Sequence, residues 1–422
     1  MNILYLAHRV PYPPNKGDKI RALWEIKSLS NHKIDLFTFY DHDEDRNSVD
    51  ALKEYCRECY VEPLSWFGSR ARAISAVLQR KPFSLAYFRS PRMAQKVEQA
   101  LATRHYDVIL CFGSGMAGYV DPQCSVPCVL DMVDVDSAKW AEYARNSSPL
   151  LQWLWRQEGE VLAGYERFAA ETFANTLLCT DAEAALLRNF APGGRIGVLR
   201  HMVDTGYFDP EKVSLPEDIA RLQPYVLFAG SMDYAPNVEA VQWFHAKTLP
   251  LMQREIPNLK FVIAGRNPAK AVQDLAGDSS VVVTGTVADI RPYFRGASAT
   301  VAPMQLARGV QNKILESMAM GVPAAASSKA AVAFPPEVAE RIMVEDDPAA
   351  LASRLVQLIK TGPKPPVPAI RQALEQVFGD KSLRVKLEQI LEEAAQQAHG
   401  SSQVATTGSA ALMGSGERAR VG

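Results

Sequence analysis

Short apolar runs alternate with longer stretches of helical periodicity along the whole chain. The runs fall at residues 3–7, 34–39, 108–112, 126–130 and 176–179 in the first half, and at 226–229, 261–264, 281–283, 299–302 and 324–326 in the second. Continuous runs of this length, without the polar alternation of a half-exposed strand, are buried on both faces, as in a parallel sheet covered by helices. Each half therefore predicts its own doubly wound α/β domain. Gly206, Pro210, Pro216 and Pro224 punctuate residues 203–224 and place a boundary there. A second break, KTGPKPPVP at 360–368, precedes a helical spacing of Leu, Glu and Lys. The expected organisation is residues 1–205 for the first domain, 206–368 for the second, and 369–399 for terminal helices. Residues 400–422 are expected to form a disordered tail, because small and polar residues there have little to bury.

The chain has 422 residues, 47% of them hydrophobic, enough for two cores. Lys and Arg number 46 against 47 Asp and Glu, so the whole-chain charge gives no reason to expect a nucleic-acid partner. No apolar run approaches the ~20 residues that span a bilayer. The opening MNILYLAHRVPYPP lacks the basic start of a signal peptide and reads as the first strand of a cytoplasmic protein. Six cysteines are too sparse for a disulfide framework. Cys56 and Cys59 with Cys124 and Cys128 match no standard zinc spacing well, which favours reduced structural thiols. Charge is uneven in one place: residues 66–105 carry eight basic side chains and the single acid Glu98, a net +7, interleaved with Trp66, Phe67, Phe83, Tyr87 and Phe88. Such a segment suits peripheral contact with an anionic membrane, at the inner face of the plasma membrane, or is a solvated helix face balanced elsewhere.

In open α/β sheets, ligands bind beyond the carboxyl ends of the strands, so the loops after the runs are where chemistry is sought. The loop after the first run, Asn15-Lys16-Gly17-Asp18, opens a helix; Gly17 permits close backbone approach and helix-start N–H groups suit an anion. In the matching place of the second half, Gly230-Ser231 supplies a tight turn and a hydroxyl. The richest loop lies between Pro303 and Pro323, where Arg308, Gly309, Val310, Gln311, Asn312, Lys313 and Glu316 converge on the start of a helix. With Asn312 as N-cap, the first N–H groups would face a diphosphate, with Lys313 and Arg308 adding positive charge. The Glu316 carboxylate, leaning back toward the helix start, would accept hydrogen bonds from paired ribose hydroxyls. The plain alternative is an exposed i,i+3 Lys313–Glu316 pair. Asp134 and Asp136 could hold a metal, orient an acceptor or simply cap a loop.

The pattern Gly309-x3-Lys313-x2-Glu316-x-Met318-Ala319-x-Gly321-x-Pro323 resembles the donor-nucleotide signature of group 1, family-four retaining glycosyltransferases, which have the GT-B architecture of two facing Rossmann-like domains. NILYLAHRVPYPPNKGDKIR, MVDTGYFDP, GSMDYAPNVEAVQWF and VTGTVADIRPYF resemble further family segments in matching order. DMVDVDSAKW is similar to a stretch of the exopolysaccharide sugar transferases associated with exosortase (PEP-CTERM) systems. The resemblance implies that Glu316 binds the nucleotide ribose, that Gly309 to Lys313 surround the diphosphate and sugar, and that Val287, Asp289 and Ile290 frame the base. It also implies that Gly17 approaches the phosphates. Three departures stand out: Arg308 occupies the place of the family's first glutamate, Ser231 and its neighbours replace an Arg and a Lys, and His201-Met202 replaces an Asn-Gly.

The resulting expectation is sugar transfer from a nucleotide-diphosphate donor to a polysaccharide or lipid-linked acceptor with retained configuration and no metal, Lys313, Arg308 and Glu316 carrying the chemistry. The alternatives are a nucleotide-sugar epimerase on the same fold and a non-catalytic nucleotide-sugar sensor. A dinucleotide oxidoreductase is disfavoured because no G-x-G-x-x-G follows the first run.

Overall fold

The computed structural model describes residues 1–14, 16–40, 43–145, 147–307, 309–362 and 367–413. The chain divides into two compact units. One comprises Met1–Cys179, Glu183–Leu199 and Arg384–Gly422; the other comprises Thr180–Ala182 and Arg200–Leu383.

The first unit is built on seven parallel strands: β1 (Asn2–Ala7), β2 (Lys33–Tyr40), β3 (Glu58–Pro63), β4 (Val108–Phe112), β5 (Cys128–Val133), β6 (Asn175–Leu178) and β7 (Ile196–Val198). Their order is β3-β2-β1-β4-β5-β6-β7, so the winding reverses between β1 and β4. The second unit has six parallel strands: β8 (Tyr225–Ala229), β9 (Lys260–Ala264), β10 (Val281–Gly285), β11 (Ala299–Ala302), β12 (Ala324–Ala326) and β13 (Met343–Val344). Here the order is β10-β9-β8-β11-β12-β13, with the reversal between β8 and β11. A crevice at the carboxyl ends of the strands is expected at each reversal.

Each apolar run of the sequence coincides with one of these strands, although β5 begins two residues later than its run and continues to Val133, and β6 ends at Leu178, one residue before its run does. The central strands β1, β4 and β8 are fully buried along almost their whole length. In the second unit, the helix Asn312–Ala319 buries Ile314, Leu315, Met318 and Ala319 against the sheet, spacings that put all four on one face. That packing fixes the start of the helix at the carboxyl end of β11. The last helix, Asp380–Met413, buries Leu387 and Leu391, one turn apart. Its backbone runs into the stretch expected as a disordered tail, where no proline stops it before Met413, and residues 414–422 lie outside the described residues.

Candidate functional site

At the carboxyl ends of the second unit's strands lie the turns after β8, β9, β10 and β11. The first two turns touch: a Cβ on Gly265, at φ +155°, would fall 1.6 Å from the Gly230 carbonyl oxygen, so only glycine fits. A Cβ on Gly230 would meet Asn237 Nδ2 at 2.9 Å. Asn237 lies in the first turn of the helix Ala235–Lys247 and donates to the Ser231 carbonyl at 2.9 Å. Arg266 Nε donates to Ser231 Oγ at 2.8 Å, bringing a cation to the end of β9.

Lys313 is only 7% exposed. Its Nζ donates to Asn237 Oδ1 at 3.2 Å and Gln311 Oε1 at 3.3 Å, and it stands 4.5 Å from the centroid of the Phe228 ring. Burial pushes its ammonium down to about 8, against the pull of Glu316. The N-cap is Gln311 rather than Asn312, because Gln311 has the extended backbone that precedes a helix. The Gln311 side chain does not cap this helix, since its amide is committed to Lys313, and the N–H groups of the first turn keep their affinity for an anion.

Glu316 is half-buried, and desolvation pushes its carboxyl up to about 7, opposed by Lys313. Among the described residues, none gives its carboxylate a hydrogen bond or ion pair. The exposed Lys313–Glu316 pair that the spacing allows is not what forms, because Lys313 turns inward to Asn237. An acceptor desolvated in this way, with no donor among the described residues, is suited to donors supplied by a ligand. Gly309, Val310 and Gln311 form the loop leading to it, with Gly309 at φ +64°. Arg308 lies outside the described residues.

Val287, Asp289 and Ile290 occupy the turn between β10 and the helix Arg291–Gly296. Arg291 forks the Asp289 carboxylate at 2.7–3.0 Å and, with its backbone N–H, holds that carboxyl below the usual range. The Arg291 guanidinium also lies 3.9 Å over the Tyr207 ring and donates to the Tyr207 carbonyl at 3.2 Å. Burial, then the charge of Asp289, raise the Tyr207 phenol, and Glu316 adds to the shift. Tyr207, Asn237, Gly265, Arg266 and Arg291 thus join the site without having been singled out as site residues from the sequence. The repeated Ala-Gly at the ends of two apolar runs, FAGS and IAGR, is the signal that points to Gly265 and Arg266.

In the first unit, His8 follows β1 and sits between the Phe112 carbonyl (3.3 Å from Nδ1) and Asp18 (3.4 Å from Nε2). Gly17, exposed, is the first residue of the helix Gly17–Ser28 that carries Asp18. Despite partial burial, bonding to His8 and the charges of His8 and Arg9 hold the Asp18 carboxyl well below the usual range. Val133 closes β5 at φ +68°, a strained conformation for a β-branched side chain. Asp134 and Asp136 both pair with Lys139, at 3.0 and 2.9 Å, and Asp134 also accepts from the Cys179 thiol at 2.9 Å. With Lys139 between them, the two aspartates present one net negative charge. Among the described residues, no group of three or more His, Cys, Asp or Glu is placed to hold a metal ion, and the Cys56/Cys59 and Cys124/Cys128 pairs do not gather into one. Among the same residues, no helix is long and apolar enough to cross a membrane.

Both units are doubly wound parallel α/β folds, and the second carries a buried lysine and a desolvated glutamate at a helix start on its switch point. Residues 223–361 match the family model described as glycosyl transferases group 1. The chain is similar to an uncharacterized 44.6 kDa protein in the cps region of Klebsiella pneumoniae, 20% identical over 338 residues, or 75% of this chain and 80% of that one. Among solved structures it is similar to Anabaena HepE in complex with UDP and glucose, with 15% identity, a TM-score of 0.62 and coverage of 93% of this chain and 100% of that one. It is also similar to sucrose-phosphate synthase from Thermosynechococcus elongatus, with 17% identity, a TM-score of 0.64 and coverage of 93% and 99%. These likenesses show the fold, which is that of the GT-B glycosyltransferases.

Proposed function

We propose that this protein transfers a sugar from a nucleotide-diphosphate donor to a polysaccharide or lipid-linked acceptor, with the anomeric configuration retained, in exopolysaccharide synthesis. The observation that carries the reading is Glu316: a desolvated carboxylate at a helix start, on the switch point, beside a buried cation. In this reading its oxygens accept from the two ribose hydroxyls. The departing diphosphate lies against the first turn of the helix Asn312–Ala319, with Lys313 and Arg266 nearby; Arg308 is assigned to it from the sequence alone. Charge building on the leaving group in an oxocarbenium-like transition state is met by these preorganised donors, which supply the balancing charge without calling on a metal. Gly309 to Asn312 border the sugar, and Val287, Asp289 and Ile290 with Tyr207 border the base.

HepE holds UDP and glucose, which makes UDP-glucose the first donor to try. The relative in a cps region and the resemblance of residues 131–140 to exosortase-associated sugar transferases favour an exopolysaccharide product. A lipid-linked acceptor would place the protein at the inner face of the plasma membrane. A thermal-shift screen of nucleotide sugars tests the reading, since a ligand selective for the native state raises its melting temperature. One donor should stabilise the protein in a concentration-dependent way; no response to any nucleotide sugar would contradict it.

A further inference from the structure

A cavity of about 450 Å³ in the first unit takes no part in the chemistry above. It is lined by Arg72, Lys81, Leu85, Arg89 and Tyr165, among others, and the described residues around it include three cations and no acid. Arg72 is held in place: it donates to Ser69 Oγ at 2.9 Å and to the Ala86 carbonyl at 3.4 Å. Arg89 lies over Gly118, where a Cβ would come within 3.5 Å of its guanidinium and 3.6 Å of the Tyr165 hydroxyl. Two carboxylates on neighbouring segments are held by neutral donors. Glu62 accepts from Ser90 and Tyr60, and Glu158 accepts from the backbone N–H groups of Phe83 and Ser84 at 2.8 and 3.0 Å. Three positive charges thus border one concave site whose lining holds no acid, and none of the three is in an ion pair among the described residues.

The inner end of the cavity adjoins the first unit's switch point, because Tyr165 donates to the Ser114 carbonyl at 3.3 Å and Phe88, next to Arg89, packs its ring 5.4 Å from His8. Its outer wall is the helix Trp66–Leu78, which contains no acid. Phe67, Ile74 and Leu78 are 79%, 65% and 81% exposed and share one helical stripe. A surface helix ordinarily turns its apolar stripe inward. An outward apolar stripe flanked by cations is the pattern of a helix that lies in a lipid interface.

We propose that the Arg72–Lys81–Arg89 cavity binds the terminal phosphate or diphosphate headgroup of a lipid acceptor, while Phe67, Ile74 and Leu78 enter the bilayer that carries it. The proposal rests on the reading of the protein as a transferase with a lipid-linked acceptor, and names the site of that acceptor's charge. Headgroup and bilayer contributions separate by chemistry: the cations recognise a phosphate monoester, and the apolar stripe recognises any bilayer.

Co-sedimentation with phosphatidylcholine vesicles carrying phosphatidic acid, or phosphatidylglycerol at equal surface charge, tests this at fixed ionic strength. The wild-type protein should bind the phosphatidic acid vesicles about tenfold more tightly, from the added contacts of two or three basic residues. Lys81→Gln with Arg89→Gln should erase that preference, and Arg72→Gln should do the same if its melting temperature shows a folded protein. Phe67→Ser, Ile74→Ser and Leu78→Ser together should weaken binding to both vesicles. Equal binding of the two vesicles by wild type, or a preference that survives in the Lys81/Arg89 variant, would overturn the proposal. So would stabilisation by inorganic phosphate without vesicle binding, which would assign the cavity to a soluble anion. Donor-induced stabilisation in the same samples keeps the two claims apart: its survival beside failed vesicle binding overturns the cavity assignment alone, and its absence overturns the transferase reading.

Discussion

Glu316 and Lys313 sit three residues apart, yet they meet different surroundings. Lys313 turns inward to Asn237 and Gln311, while the Glu316 carboxylate is desolvated with no donor among the described residues. Glu316→Gln removes the ionised acceptor and keeps the shape. It should leave the melting temperature unchanged or slightly higher, because an ionised carboxylate no longer has to be desolvated. Nucleotide-sugar affinity should fall by roughly 10- to 100-fold, the range for lost hydrogen bonds to a charged group; calorimetric titration of a folded variant with unchanged affinity would reject the ribose role. The two groups also fix a pH window. Glu316 accepts best once ionised, above about 7, and Lys313 remains a cation below about 8. Donor affinity should therefore be greatest between these values, falling on the acid side as Glu316 is protonated and on the alkaline side as Lys313 loses its proton. Titrations from pH 5.5 to 9.5 should show both limbs in the wild type and only the alkaline limb in Glu316→Gln. An acid limb that persists in the variant would assign it to another group.

At the level of elements, the site depends on how closely the turns after β8 and β9 approach. Gly265→Ala places a methyl group against the Gly230 carbonyl and forces a non-glycine residue into a positive φ, which should cost roughly 2–4 kcal/mol from overpacking and backbone strain together. Chemical denaturation should register this loss, and donor binding should suffer with it because Gly230, Ser231 and Asn237 would shift. Unchanged stability would mean that the turns separate easily. The same elements show what a sequence can reveal. β11 and β12 were legible because both faces are buried and every residue in them is apolar or small. β3 was not, because ECYVEP carries an acid near each end and lies half-buried on a sheet edge; β7 and β13, on the opposite edges, have only three and two residues. Lys313 and Glu316 could be found because a polar, glycine-containing loop before a helix is a local signal. The need for glycine at 265 comes from contact with a turn 35 positions earlier, and Tyr207 owes its place to Arg291, which is 84 positions away. Neither need is written in nearby residues. The Gln311 cap is a different case: its partner Lys313 is only two positions away, but the inward turn of Lys313 toward Asn237 is a contact across 76 positions.

At the scale of the whole molecule, the two units share one winding scheme and differ in what they carry at their switch points. The second presents a glutamate, cations and a helix start; the first presents His8, Asp18 and the strained Val133, next to a cavity ringed by cations. A net charge of −1 hides this division, because the basic stretch 66–105 is offset by acids elsewhere in the chain. Division of labour between a donor-holding unit and an acceptor-holding unit is what transfer between two substrates needs, whereas an epimerase or a sensor needs only the donor side. Single-turnover reaction of the protein with a stabilising nucleotide sugar and a lipid-linked or glycan acceptor, followed by mass analysis of every product, tests this most directly. The account predicts release of the nucleoside diphosphate together with an acceptor heavier by one sugar, both lost in Glu316→Gln. Tight donor binding without release, or an epimerised donor with the acceptor unchanged, would contradict it.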